Sequence, residues 1–303
     1  MIYIEFSNNR KRKMQEENSS SSIITNTNPG KSIDIQIHEF IARNNPKCVI
    51  LTPCYGGTVF VNYMCSLIQT IDLFRQYHFP LQVEFCKNDS LVSRARNNLM
   101  AKAMYDTDTT HIMFIDSDIT WDPLDIFKLI LSEKALVGGV YPLKHYFWEK
   151  LTEPDIIPKW LEKRKNNDHL MKTTTESEII QQNLLKYNIN YQSNFLEIDN
   201  NLSEVRHLAT GFMMIRRPLI ETMIRAFPST KYTDDVSFLV GDQNKYAYAL
   251  FDCGVEDGHY FSEDWMFCHR WRQLGGSIFI DVSIRLVHTG MEDYKGSYIS
   301  TIL

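Results

Sequence analysis

Two short acidic motifs, each lying where a regular element meets a loop, are the residues of this chain best suited to chemistry. Asp116-Ser117-Asp118 follows the apolar run HIMFI, and Ser262-Glu263-Asp264 begins a segment with helical spacing. Two carboxylates one residue apart oppose each other's ionisation. A divalent cation such as Mg²⁺ or Mn²⁺ removes that cost and prefers hard oxygen ligands. The first motif is also typical of a turn, and the second of a helix start where carboxylates complement the helix dipole.

Five other residues extend this set of candidates. His288, in VHTG, follows an alternating strand and is suited to be a third metal ligand beside two aspartates, although a lone histidine is often structural. Gly211, in ATGFMMIRR, allows either a close approach of the backbone to a ligand or a tight turn. On a helical segment nearby, Arg94 could reach a phosphate, as could Arg96, and Asn97 could bind a sugar or a base; the arginines could equally face solvent.

Alternating apolar runs and helical segments between residues 47 and 144 must position these side chains. The runs are 47–57, 81–89, 110–118 and 135–144, and the helical segments are 61–77, 90–106 and 122–133. Continuous apolar strands separated by helices predict an α/β fold with a mostly parallel central sheet flanked by helices. Ligands of such sheets bind beyond the carboxyl ends of the strands. Residues at those ends are Thr52, Pro53, Cys54, Tyr55, Asn88, Asp89 and the Asp116-Ser117-Asp118 motif.

Several of the predicted elements carry capping signals. Asp122 before Pro123 is a favoured helix start, and Ser90 is available to cap the helix over 90–106. Beyond residue 204 we expect a strand over 204–217, a helix opened by Pro218, a helix over 260–276 capped by Ser262 and closed by Gly275-Gly276, and strands over 277–290.

Two segments depart from this pattern. Residues 1–34 are largely polar and of low complexity, which predicts a flexible N-terminal arm because such a composition buries too little apolar surface to offset its ordering entropy. Residues 145–204 are charged and Asn-rich, with a helix predicted in SEIIQQNLLKY, and we interpret them as an insertion that forms a lid or an acceptor-binding element. The remaining chain, 35–303, is expected to form one domain.

Composition excludes several classes of protein. The net charge of −5 argues against a nucleic-acid partner, and no apolar run approaches the ~18 residues that a membrane span needs. The six cysteines show no CxxC pair, which favours buried free thiols over a disulfide framework. We therefore expect a soluble cytoplasmic protein without a membrane span. The chain also lacks the spacing of dinucleotide-binding and P-loop motifs, and it has no GxSxG or HExxH motif.

Taken in chain order, these motifs resemble those of the GT-A class of nucleotide-sugar glycosyltransferases. That class is marked by a DxD motif, a glycine loop, an acidic xED motif at a helix start and a C-terminal histidine. Here the corresponding residues are Asp116-Ser117-Asp118, Gly211, Ser262-Glu263-Asp264 and His288. The resemblance covers roughly residues 47–290, and the chain is also similar to glycosyltransferase domains of large DNA viruses.

The resemblance implies a GT-A, Rossmann-like fold and a reaction in which a sugar moves from a UDP- or GDP-sugar to an acceptor hydroxyl on a glycan, a protein or a small molecule. Asp118 and His288 would bind Mn²⁺ or Mg²⁺, and Asp116 would contact the donor ribose, or the metal through water. Asp264 would be the general base of an inverting reaction, and Glu263 would hold the acceptor or the donor sugar. The donor nucleotide would contact Thr52, Pro53, Tyr55, Asn88 or Asp89, and Arg94, and Asn97, Ser117 and Gly211 would also lie on the donor side.

Two alternatives from other classes stay open at this point. A non-catalytic scaffold that binds a nucleotide sugar or a carbohydrate would share the fold, but it would be free to lose any of the three chemical motifs, and all are present. A sugar nucleotidyltransferase would use the acidic pair for phosphoryl transfer. Such enzymes usually carry a basic, Gly-rich loop after the first strand, and TPCYGGTVF has neither Lys nor Arg.

Overall fold

The computed structural model describes residues 2–5, 31–193, 195–290 and 293–302. These residues form ten α-helices: α1 Ile33–Asn44, α2 Val61–Gln76, α3 Val92–Tyr105, α4 Pro123–Leu131, α5 Ile156–Lys165, α6 Asp168–Thr173, α7 Glu176–Leu184, α8 Arg217–Ala226, α9 Glu263–Gln273 and α10 Ile299–Ile302. They also form the strands β1 Ile2–Glu5, β2 Cys48–Cys54, β3 Leu81–Lys87, β4 His111–Ile115, β5 Ile119–Thr120, β6 Leu136–Gly138, β7 Pro142–Tyr146, β8 Leu185–Tyr187, β9 Ile189–Asn190, β10 Phe195–Ile198, β11 Leu202–Glu204, β12 His207–Leu208, β13 Phe212–Arg216, β14 Gly254–Glu256, β15 His259–Phe261, β16 Phe279–Asp281, β17 Val287–Thr289 and β18 Asp293–Lys295. In this part of the chain, no helix is long and apolar enough to cross a membrane.

A seven-stranded sheet in the order β11-β16-β6-β13-β4-β2-β3 forms the centre of the molecule. Strands β2, β3 and β4 are mutually parallel, and β6 is parallel to β16. Strand β13 runs antiparallel between β4 and β6, so all five of those strands point the same way. The prediction of a mostly parallel sheet flanked by helices is therefore confirmed.

Alternate side chains of the central strands enter two separate cores. In β4, Ile112 and Phe114 pack with α3, α8 and α9, whereas Met113 and Ile115 pack with α1, α2 and α4. All four of these side chains are fully buried. Burial on both faces explains why the strands read as uninterrupted apolar runs in the sequence.

Helix starts agree with the predicted caps in two cases and differ in one. Asp122 caps α4 in a capping box with Asp125, and Ser262 occupies the N-cap position of α9. The prediction that Ser90 caps α3 was wrong, because α3 begins at Val92 and Leu91 occupies its N-cap position. The Asp89 carboxylate accepts the Leu91 N–H at 2.9 Å and organises this turn instead.

Two predicted strands are each divided in the structure, and the 277–290 segment, predicted to form strands, gives two. The 135–144 run gives β6 in the central sheet and β7 in a separate two-stranded sheet with β8. The 204–217 run gives β12 and β13, and the 277–290 run gives β16 and β17. Strand β17 leaves the central sheet and pairs with β5 and β18, which brings the C-terminal part of the chain to the end of β4.

The proposed insertion folds around a small core of its own. Tyr146, Trp160, Leu184 and Leu185 are buried together, and they join α5 and α7 to β7 and β8. The insertion is not independent of the main sheet, since β11 forms the sheet edge against β16.

Part of the segment expected to be a flexible arm has regular structure. Residues Ile2–Glu5 form β1, which pairs antiparallel with β10, and α1 begins at Ile33 with Ser32 as its N-cap. Residues 6–30 lie outside the described residues. All six cysteines are described as free thiols, four of them buried, while Cys65 and Cys253 are exposed.

Candidate functional site

The carboxyl ends of β2, β3 and β4 surround a cavity of about 280 Å³. Its lining also includes the first turns of α3, which follow directly from β3. The lining residues are Pro53, Cys54, Tyr55, Cys86, Asp89, Ser90, Val92, Ala95, Arg96, Asp116, Ser117 and Asp118. The strand ends that the sequence placed at a ligand-binding edge thus share one cavity with the acidic Asp116-Ser117-Asp118 motif.

Asp118 and His288 lie side by side at this edge. Strand β17 pairs with β5, and the Thr289 N–H donates to the Asp118 carbonyl at 2.8 Å. The His288 Nε2 consequently lies 3.4 Å from Asp118 Oδ2. Pairing between short strands from the two ends of the domain therefore brings together two of the three predicted metal ligands.

The tautomer of His288 follows from its other contact. Its Nδ1 lies 2.8 Å from the carbonyl oxygen of Pro142. Because a carbonyl can only accept, Nδ1 carries a proton and donates, which leaves Nε2 as the ring nitrogen that faces Asp118. Metal-binding histidines are commonly held by such a bond from the second ring nitrogen to a backbone carbonyl.

Lys144 supplies a positive charge to the same carboxylate. Its Nζ lies 2.5 Å from Asp118 Oδ2, the oxygen that faces His288. Burial by itself raises the pKa of Asp118, but the hydrogen bonds from His288 and Lys144 outweigh it and lower the pKa below its ordinary value. Asp118 is therefore ionised at neutral pH. Lys144 was not among the residues that the sequence suggested.

Asp116 is held by a different cation. Arg96, on α3, donates from one terminal nitrogen to Asp116 Oδ1 at 2.9 Å and from Nε to Glu263 Oε1 at 3.3 Å. The Arg96 side chain is only 5% exposed, and its other terminal nitrogen, Nη1, is buried without a hydrogen-bond partner. Burial lowers the pKa of Arg96, yet the two carboxylates outweigh this and raise it. One buried guanidinium therefore joins the two acidic motifs.

Asp264 lies at the start of α9 beside Glu263. Its Oδ1 accepts the Trp265 N–H at 2.8 Å and the hydroxyl hydrogen of Ser262. Burial, and then the neighbouring Glu263 charge, raise the pKa of Asp264 above its ordinary value. A carboxylate with a raised pKa is a stronger base, which suits proton abstraction from a hydroxyl.

Gly211 meets a tyrosine ring. A Cβ at Gly211 would lie 2.7 Å from the Tyr141 hydroxyl oxygen and 2.8 Å from ring carbons, so a side chain here would displace the ring. The Tyr141 ring also contacts His288 edge-on at a centroid distance of 5.0 Å. The Gly211 carbonyl accepts the Asp116 N–H at 3.1 Å. Packing against Tyr141 thus explains the glycine, and contact with a donor stays a prediction.

The residues predicted to contact the donor nucleotide lie in three places: the cavity, the interior, and the turn between β3 and α3. Pro53, Tyr55, Asp89 and Ser117 line the cavity, and Tyr55 is 81% exposed. Thr52 is fully buried and its hydroxyl is bonded to Tyr63 at 2.6 Å. The structure therefore leaves Thr52 in the interior, away from the residues that line the cavity.

Asn97 also lies in the interior. It is 3% exposed, and its amide donates to the Phe251 carbonyl at 2.6 Å and accepts the Phe251 N–H at 2.9 Å. This two-point bond attaches α3 to the segment before β14. Asn97 supports the site through the backbone and does not face the cavity in this structure.

Asn88 and Arg94 surround the turn between β3 and α3. Asn88 is exposed, with a left-handed φ of 61°, and its N–H donates to Cys54 at 3.1 Å. Arg94 forms a two-point ion pair with Asp89, with distances of 2.8 to 3.2 Å. Burial raises the pKa of Asp89, but the hydrogen bonds from Arg94 and the Leu91 N–H and the Arg94 charge together outweigh it, and the pKa is lowered.

Asp118 and His288 together fit a metal ion, whereas Asp116 does not complete the set in this structure. Among the described residues, no group of three or more His, Cys, Asp or Glu side chains is placed to hold a metal. Two ligands suffice for Mg²⁺ or Mn²⁺ when waters and phosphate oxygens fill the remaining positions. The ionised Asp118 carboxylate is the donor type that these ions prefer, and the His288 Nε2 would be a second ligand.

A larger cavity of about 380 Å³ lies at the opposite, amino-terminal edge of the sheet, between the ends of α1 and α4. It contains the Arg43–Glu133 ion pair, with a 2.6 Å contact between two exposed side chains. None of the residues predicted to form a functional site lines it. The smaller cavity, in contrast, is lined by the Asp116-Ser117-Asp118 motif and Arg96, whereas Glu263, Asp264 and His288 are not among its lining residues.

Comparisons with known proteins give no family assignment. No family profile matches the chain, and no curated protein matches it. Among solved structures, the chain is similar to one titled "Crystal Structure of A197 from STIV", at 14% identity and a TM-score of 0.45, covering 80% of this chain and 86% of that one. A likeness at this level identifies neither a family nor an activity for the present chain.

Proposed function

We propose that the protein is a metal-dependent glycosyltransferase of the GT-A type that moves a sugar from a UDP- or GDP-sugar to an acceptor hydroxyl. The observation that carries this proposal is the pairing of Asp118 with a His288 whose Nε2 faces the carboxylate, beside a cavity at the carboxyl ends of parallel strands. Such an edge is where ligands of α/β sheets bind.

Asp118 and His288 would hold Mn²⁺ or Mg²⁺. When bound, such an ion supplies Lewis-acid stabilisation of the negative charge that develops on the departing nucleoside diphosphate. Tyr55, at the mouth of the cavity, presents an exposed ring on which a nucleobase can stack, and Asp89 and Ser117 present polar atoms to the donor.

Asp264 would take the proton from the acceptor hydroxyl. Its raised pKa favours this role, and the Ser262 hydroxyl and Trp265 N–H fix the orientation of the carboxylate. Glu263 is held by Arg96 and would orient a sugar. The Arg96 guanidinium, which also holds Asp116, keeps the donor and acceptor sides of the site at a fixed separation.

The test is nucleotide release from a panel of UDP- and GDP-sugars, with and without Mn²⁺. We expect metal-dependent release from one donor, lost in Asp118→Asn and retained in Asp72→Asn, a control that changes an exposed carboxylate on α2. Donor binding without release would favour the carbohydrate-binding scaffold. Pyrophosphate release from a nucleoside triphosphate and a sugar 1-phosphate would favour the nucleotidyltransferase. Neither binding nor release with any donor would contradict the proposal.

A further inference from the structure

Lys144 occupies the position at which a metal ion would approach Asp118. Its Nζ contacts Oδ2, the same oxygen that faces the His288 Nε2. In the free protein the ammonium group therefore neutralises a carboxylate whose side chain is 22% exposed. A divalent cation bound between Asp118 and His288 would repel that ammonium group, because two positive charges cannot share one carboxylate oxygen at low cost.

The backbone around Lys144 allows the side chain to leave. Strand β7 pairs with β8 only at Pro142 and Tyr146, and the register is irregular between them. The three residues between these positions are all exposed, and the Lys144 side chain is 33% exposed. Moving the ammonium group away from Asp118 thus breaks no ladder bond and opens no core. Arg96, at 5% exposed and bonded to two carboxylates, has no comparable freedom.

We propose that Lys144 is a donor-binding residue that exchanges Asp118 for the diphosphate of the nucleotide sugar. This inference rests on the proposed function. Before the metal arrives, Lys144 is the counter-ion of Asp118. When the metal and its diphosphate are in place, the flexible ammonium group contacts phosphate oxygens at the same edge of the cavity. Lysine is suited to this exchange, since it binds phosphate as a compact point charge without a fixed bidentate geometry.

Two binding measurements by isothermal titration calorimetry test the exchange: Mn²⁺ alone, and UDP or GDP in saturating Mn²⁺. Lys144→Gln is expected to bind Mn²⁺ alone about fivefold more tightly than the natural protein, because the competing charge is gone. The same variant is expected to bind the nucleotide about fivefold more weakly. This magnitude corresponds to one partly exposed ion pair in each case. Lys144→Arg should restore part of the nucleotide affinity.

The matched control is Lys186→Gln on the neighbouring strand β8, where the lysine lies over the Phe147 ring at 3.8 Å. It should leave both affinities unchanged. Equal or weaker Mn²⁺ binding by Lys144→Gln, or unchanged nucleotide binding, would overturn the inference while leaving the proposed function intact. If the natural protein binds neither Mn²⁺ nor either nucleotide, the proposed function fails, and the inference fails with it. Thermal unfolding of each variant verifies that it is folded.

Discussion

The two ring nitrogens of His288 have different partners, so a structural role and a metal-binding role would depend on different atoms of the ring. Nδ1 donates to the Pro142 carbonyl, and Nε2 faces Asp118. A histidine with only a structural role would need the first contact alone. Substitutions that keep one nitrogen position and remove the other can therefore distinguish the two roles.

His288→Asn keeps an amide N–H near the Nδ1 position and removes the Nε2 atom. We expect the bond to Pro142 and the thermal stability to be largely retained, while Mn²⁺ affinity falls by about tenfold or more. Calorimetric titration with Mn²⁺ in the presence of UDP or GDP measures the change. An unchanged Mn²⁺ affinity would show that His288 is structural.

Arg96 is expected to stabilise the fold as well as the site. Arg96→Met removes the charge shared by Asp116 and Glu263 and leaves two partly buried carboxylates without their partner. We expect the free energy of unfolding in urea to fall by about 2 kcal/mol or more. This loss is smaller than for a fully buried ion pair, because the two carboxylates keep some contact with solvent. Adding Asp116→Asn should recover part of the loss. A variant as stable as the natural protein would contradict this account.

At the residue scale, the sequence identified groups of the right chemical type but not their partners. The acidic pairs and His288 stand out because like charges at strand and helix ends require an explanation. The bridge from Arg96 to Glu263 joins residues 167 positions apart, and no local spacing reveals it. Lys144 and Tyr141 were missed for the same reason, since only the path of the chain after β6 brings them to the site.

The strands and turns around β4 set the positions of the site residues. Gly211 accepts the Asp116 N–H through its carbonyl and leaves room for the Tyr141 ring. Gly211→Ala should therefore cost about 1–3 kcal/mol of unfolding free energy by overpacking. The double variant Gly211→Ala, Tyr141→Ala should lose less unfolding free energy than the sum of the losses in the two single variants. Tyr141→Phe should not relieve the clash, because ring carbons remain. Strictly additive effects in urea denaturation would argue against the contact.

His111, the first residue of β4, makes folding depend on pH. Burial, with Arg216 nearby, lowers the pKa of His111 to about 4 from an ordinary value of 6.5. The unfolded state then binds the proton more readily, so the stability from the neutral ring is complete above pH 6.5 and is lost as the pH falls towards 4. The loss is roughly 3 kcal/mol over this interval.

His111→Leu is the variant that isolates this dependence. Its unfolding free energy, measured in urea between pH 7 and pH 4, should fall less steeply than that of the natural protein. His207, whose pKa burial also lowers to about 4, remains in both proteins and its contribution cancels in the comparison. Parallel pH profiles for the two proteins would show that His111 does not contribute.

At the scale of elements, the sequence predicted which segments are strands and helices but not where several of them divide. Uninterrupted apolar runs identify strands buried on both faces, and Asp122-Pro123 marks the start of α4 because capping acts locally. The division of the 135–144 run into β6 and β7 depends on β7 pairing with β8 in the insertion. A local pattern carries no information about a partner so far along the chain.

The whole molecule brings the carboxyl-terminal edge of a mostly parallel sheet together with the pair β5–β17, which carries His288 to Asp118. The sequence allowed this edge to be predicted because ligands of α/β sheets bind at strand carboxyl ends. The sequence did not indicate which two of the three predicted metal ligands would lie next to each other. It depends on Arg96 holding Asp116 and on the path of β17 across the end of β4.

The most direct test of a metal-dependent nucleotide site at this edge is an anomalous difference map at the manganese absorption edge, from crystals grown with Mn²⁺ and UDP or GDP. The account predicts an anomalous peak between Asp118 and His288, with the diphosphate bound in the cavity beside it. A nucleotide bound elsewhere, or a bound nucleotide with no manganese peak at Asp118 and His288, would contradict it.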